Sequence, residues 1–167
     1  MTHQQIRSAI ISLLNGTGRD GITTTVDYLL HQSDFFRRGC HTHHHWSGGL
    51  AQHSLEACRY ALAHRGDLPR ESVILASLLH DICTAHSPLS YGIRGHGRRS
   101  VDILENVCHL CLTPAERDAI RLHMHRDASE MATNPLARLV WKADKESAAR
   151  RVSLDHPTQH NTQSDRI

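Results

Sequence analysis

The run Ala76-Ser77-Leu78-Leu79-His80-Asp81-Ile82-Cys83 constrains this chain more than any other stretch. Its apolar residues continue a helical stripe that begins at Val73, and His80 falls on that stripe at the i, i+3, i+4, i+7 spacing of a buried face. An imidazole aimed inward beside a carboxylate is costly to bury unless both groups find partners. The ordinary explanation is a hydrogen-bonded core histidine next to a helix-terminal aspartate. A divalent cation is the other partner that suits neutral His nitrogen and Asp oxygen together. The rest of the chain has to decide between them.

The remaining periodicity is helical, with no convincing strand and no internal repeat, so an all-α fold is expected. Ile6, Ile10, Leu13 and Leu14 mark a first amphipathic helix over residues 2–14, which stops at the Asn15-Gly16 signal. Ile22, Val26, Leu29 and Leu30 mark a second, followed by a loop through Ser33-Asp34-Phe35-Phe36. Gly48-Gly49 lets the backbone turn tightly into a third helix, Leu50 to Ala63, with Leu50, Ser54, Ala57, Cys58 and Ala61 inside. His53 shares that face. Leu68-Pro69 opens the central helix that ends at His80 and Asp81. His96 stands at the entrance of a helix carrying Val101, Leu104 and Cys108 on one face. Thr113-Pro114-Ala115-Glu116 is a capping box that starts the next, where Ala115, Ala119, Ile120 and His123 share a side. Asn134-Pro135 starts the last helix, and Asp144 follows the buried Val140 by four residues, so its carboxylate turns inward.

A length of 167 residues suits one domain with a real core, read here as residues 1–152, with a flexible polar tail over 153–167. The formal charge of +2 implies no polyelectrolyte-binding surface. Five irregularly spaced cysteines without a secretory signal point to a reduced, cytoplasmic protein. No apolar run approaches the ~20 residues that span a bilayer. Cys108 and Cys111 form a CxxC with no second half, so no structural zinc is expected there. Sixteen histidines are several-fold more than usual, so any metal argument must rest on position. His41 and His45 read as surface residues.

Five segments each turn a ligand-type residue inward: His53, His80 with Asp81, His96, His123 and Asp144. Five independent buried coincidences are far harder to satisfy than one shared site. The order His, then His-Asp, then Asp resembles the HD-domain metal-dependent phosphohydrolases, over residues 18 to 150. Gly48-Gly49-Leu50-Ala51-Gln52-His53-Ser54-Leu55-Glu56 resembles the first-histidine motif of bacterial and phage members. Gly95-His96-Gly97-Arg98-Arg99-Ser100-Val101 and Ala119-Ile120-Arg121-Leu122-His123-Met124 resemble the two further histidine motifs of the binuclear branch.

The resemblance implies a helical bundle of about six to seven helices and a catalytic metal held by His53, His80, Asp81 and Asp144. It also implies a second ion on His96 and His123 with Asp81 shared. It implies metal-activated water attacking a phosphate ester of a nucleotide or related small metabolite. The mixed shell suits Fe, Mn, Co, Ni or Zn over Mg or Ca. Many relatives carry a lysine shortly after the His-Asp pair where this chain has Thr84, and a glycine after the later His-Met where it has His125. Arg99, three residues after His96, is the expected substitute phosphate grip, with Arg98 the poorer candidate. His125 or His86 is placed to protonate the leaving group, and His43 or His44 to reach substrate or the metal water. The alternatives are an HD-type nuclease, against which the near-neutral charge counts, and an inactive metal- or nucleotide-binding regulator. No membrane partner is expected.

Overall fold

A computed structural model describes residues 1–85, 95–124, 131 and 133–155. Among the described residues every regular element is helical, as the periodicity predicts. Seven α-helices run α1 (His3–Asn15), α2 (Ile22–Asp27), α3 (Gly49–Ala63), α4 (Arg70–Leu79), α5 (His96–Asp102), α6 (Pro114–Leu122) and α7 (Pro135–Asp155). No described helix is long and apolar enough to cross a membrane.

Local chemistry starts these helices where the sequence suggests. At α6 the Thr113 hydroxyl accepts from the Glu116 backbone N–H, and Glu116 Oε2 accepts from the Thr113 N–H at 2.8 Å. Thr2 and Gln5 form a second capping box at α1, which the apolar spacing did not reveal. Gly16 ends α1 but stays right-handed at φ −67°, and the left-handed turn comes two residues later at Gly18. The single-face reading of α4 is too narrow. Every residue from Val73 to Leu79 is buried, so this helix runs through the middle of the molecule, wrapped on all sides. Ser77 tolerates that burial because its hydroxyl donates to the Val73 carbonyl at 2.6 Å.

Around α4 pack α3, α6 and α7, while α1 lies on α3 and α4 and carries α2, and α5 lies on α6. The core is aliphatic, with Leu50, Leu55, Ile74, Leu75, Leu78, Leu79 and Leu104 fully buried, and Phe35 delivered from the loop after α2. Two helices widen into single π-turns, Tyr28–Gln32 after α2 and Ile103–Val107 after α5. Before the first of them, Thr25 is buried with Ile22 and Leu29, while Val26 is only partly buried against the same core. Arg19 clasps the buried Glu116 through both guanidinium nitrogens at 2.8 Å, tying the segment before α2 to α6. Helix α7 continues through Asp155, into the stretch expected to be loose from Ser153. The remainder of that expected tail, 156–167, lies outside the described residues.

Candidate metal centre

The centre lies where the ends of α4 and α6 meet the middles of α3 and α7. His80 follows the last residue of α4 and His123 the last residue of α6, so each is the cap of its own helix. Each uses its Nδ1–H for that purpose: His80 donates to the Ser77 carbonyl at 2.8 Å, and His123 to the Ile120 carbonyl at 2.6 Å. A neutral imidazole that donates from Nδ1 presents a lone pair at Nε2. His53 on α3 is arranged alike. Its Nδ1 lies 3.0 Å from Ser147 Oγ, whose own proton is directed to Glu56 Oε2 or the His53 carbonyl, both at 3.4 Å. These partners assign the tautomers.

The three Nε2 atoms face one another and two carboxylates. His53 Nε2 is 3.2 Å from His80 Nε2 and 3.2 Å from Asp144 Oδ1. His80 Nε2 is 3.7 Å from Asp144 Oδ1 and 3.6 Å from Asp81 Oδ2. Asp81 Oδ1 turns the other way, 3.0 Å from His123 Nε2. His53, His80 and His123 are fully buried, and Asp144 nearly so. Five acceptors pointing at one another without a positive charge between them is electrostatically unfavourable. A divalent metal among neutral imidazoles and carboxylates removes that conflict, so the donor set fits one. Among these five residues two triads meet the spacing such an ion needs, His53-His80-Asp144 and His80-Asp81-His123.

Without a metal, a proton is the only cation at hand, and the charges around His80 favour placing it there. Burial alone would lower the His80 pKa, but Asp81 and Asp144 beside it outweigh burial and raise it to about 9. Burial would likewise raise both carboxyls, yet His80 with His123 holds Asp81, and His53 with His80 holds Asp144, well below the usual carboxylate range. Burial keeps His53 neutral, against the pull of Asp144.

The other expected site residues fall into place unevenly. His96 is the first residue of α5 and only half-buried, and it joins none of the triads found among the described residues. Gly97 brings that helix end onto α6, where a Cβ would overlap the carbonyls of Arg121 and Ile120. Arg99 is half-buried, and its charge draws down the Cys83 and Tyr28 pKa values, which burial raises, so it faces the segment just past Asp81. Arg98 is exposed. Thr84, standing where relatives have lysine, donates its hydroxyl to the Asp81 carbonyl at 2.8 Å. His41 and His45 are exposed, as expected. His86 and His125 lie outside the described residues.

Sequence reasoning missed Glu56 and Ser147. Each stands three residues after an inward-facing ligand type, His53 and Asp144, so helical spacing alone could have found them. It also left His43 and His44 undecided, and both prove to border His53, with ring centroids 4.5 and 5.4 Å away.

An all-helical bundle with histidine and aspartate donors converging at its centre defines a metal-site helical domain. The family model of the HD domain matches residues 50–149, more than half of the chain, and the protein belongs to that family, the HD-domain metal-dependent phosphohydrolase superfamily. No match was found among curated proteins or among solved structures.

Proposed function

We propose that the protein is a cytoplasmic metal-dependent phosphohydrolase acting on a phosphate ester, of a nucleotide or a related small phosphorylated metabolite, with no membrane or nucleic-acid partner. The observation that carries this reading is the convergence of the Nε2 atoms of His53, His80 and His123 on Asp81 and Asp144. His53, His80 and Asp144 would hold one ion. Asp81 directs its two oxygens to opposite sides, toward His80 and toward His123, which suits a carboxylate shared with a second ion held by His123 and, on the family resemblance, His96. Fe, Mn, Co, Ni or Zn match these donors. Such a metal, when bound, supplies a water acidic enough to attack phosphorus near neutral pH and charge to neutralise the phosphate oxygens.

The chain's own residues would do the rest. Ser77, Ile120 and Ser147 fix the three imidazoles, so the donors need no reorganisation on binding. Arg99 would grip the phosphate that Thr84 cannot.

The test is elemental analysis of protein purified without added metal, followed by a panel of nucleotides and other phosphate esters. Bound transition metal and turnover on at least one ester are expected. Protein without metal that also fails to take up Co(II) or Mn(II) refutes the reading, and full metal with no turnover on the panel returns the protein to a non-catalytic regulator. Arg99→Ala should lower kcat/KM by about one to two orders of magnitude with metal content unchanged, the scale of a lost charge-assisted contact. Arg98→Ala should do little, and equal, small effects would remove Arg99 from the phosphate.

A further inference from the structure

The five convergent residues do not account for His43 and His44, which the loop before α3 presses against His53. One ligand-type nitrogen from each of His43, His44 and His53 lies within 4.8 Å of the others. His44 is fully buried and holds a φ of +48°, a left-handed conformation that is unfavourable for a non-glycine residue. The loop enforces it. The His44 carbonyl accepts from the Cys40 N–H at 3.0 Å, and a Cβ on Gly49 would overlap the same oxygen.

The hydrogen bonds in this loop have a fixed direction. Glu56 Oε2 lies 3.2 Å from His44 Nε2, and a carboxylate can only accept, so His44 carries its proton on Nε2 and a lone pair on Nδ1. His43 Nδ1, 3.0 Å from that lone pair, must then be the donor. The nitrogen of His43 left with a lone pair is Nε2. Glu56 is itself anchored, accepting from Gln52 Nε2 at 2.9 Å, while Gln52 accepts from Trp46 Nε1 at 3.2 Å. A carboxylate thus sets the tautomer of a histidine one residue removed from it. His43 is half-buried beside the fully buried His53, so it reaches the centre from the solvent side. The His43 ring packs against His53 with centroids 4.5 Å apart, and the Asp144 and Asp81 carboxylates act on it electrostatically, so it stands beside the centre's own donors.

Resting on the metal-centre reading above, we propose that His43 is a further nitrogen ligand of that centre, held in its ligating tautomer by Glu56 acting through His44. An added imidazole shifts the donor set from oxygen toward nitrogen. The centre then favours Co(II), Ni(II) or Zn(II) over Mn(II) more strongly than its two carboxylates alone would allow.

The experiment titrates metal-stripped protein with Co(II), and separately with Mn(II), by calorimetry and by the visible ligand-field spectrum of cobalt. His43→Ala and the bulkier His43→Gln should each weaken Co(II) binding about tenfold or more, alter the cobalt spectrum, and weaken Mn(II) much less. His44→Ala and Glu56→Gln, as changes at positioning residues, should weaken Co(II) by about 10-fold or more, and this loss should vanish when His43 is already replaced. Wild-type Co(II) affinity and spectrum in both His43 variants, with binding abolished in His80→Ala, would overturn the proposal alone. Unchanged binding in His80→Ala as well would overturn the metal centre and this inference with it.

Discussion

His80→Ala separates the two ways in which the centre supports the fold. In metal-free protein His80 is a buried cation at neutral pH, 3.6 Å from Asp81 and 3.7 Å from Asp144. Removing it leaves two buried carboxylates without the charge between them, a loss of about 3–5 kcal/mol for a broken buried pair. In a chain of this size 1 kcal/mol moves Tm by about 2–4 °C, so the metal-free variant should melt about 6–20 °C below metal-free wild type. Metal adds a second, separate difference. An ion present at a thousand times its Kd stabilises the folded state by about 4 kcal/mol, or about 8–16 °C, and His80→Ala should lose that gain because both triads include His80. Thermal melts of chelator-stripped wild type and variant, with and without Co(II), read both effects together. The reasoning is refuted if the metal-free Tm values coincide, or if the variant keeps the full shift on adding cobalt.

Two further predictions follow from the charges. The His80 pKa of about 9 exceeds the ordinary imidazole value of 6.5, so its contribution to metal-free stability is complete below about pH 6.5 and is lost as pH rises toward 9. Asp81 and Asp144 work in the opposite sense, stabilising above the ordinary carboxylate range and losing their contribution on acidification. Metal-stripped protein should therefore show a Tm that falls from pH 6.5 to 9, and metal-loaded protein a flatter alkaline side; a flat metal-free profile would count against the protonated His80. Glu116→Ala should cost about 3–5 kcal/mol, since it leaves Arg19 without its buried partner and opens the α6 capping box. Arg117→Ala, which breaks only the more exposed pair with Glu105, should cost under about 1 kcal/mol by denaturant unfolding, and similar losses from the two would refute the distinction.

What the sequence announced and what it concealed divide along physical lines. The α6 start was legible because Thr113, Pro114 and Glu116 settle it within one turn. The inward aim of His53, His80, His123 and Asp144 was legible because each is phased with apolar neighbours on its own helix. The burial of α4 on every side was not, since one helix's sequence cannot show how many others surround it. The Arg19–Glu116 clasp and the Ser147–His53 contact join residues more than ninety positions apart, which no local pattern encodes. The π-turns at Tyr28–Gln32 and Ile103–Val107 carry no proline or glycine to mark them. His96 shows the converse limit: it sits at the helix entrance where the spacing put it, yet the triads form without it.

His80 and His123 each complete the carboxyl end of a helix, and those two ends converge on one pocket of the interior. Aligned peptide dipoles give such an end roughly half a unit of negative charge, and the dry flanks of α4 leave its share poorly screened by solvent. Added to ionised Asp81 and Asp144, the field there draws cations in and repels anions. The donor set keeps a net negative charge even with His80 protonated, so the metal-free site favours a cation over an anion. Under the phosphohydrolase reading proposed above, the ion would have to be in place before a phosphate could follow.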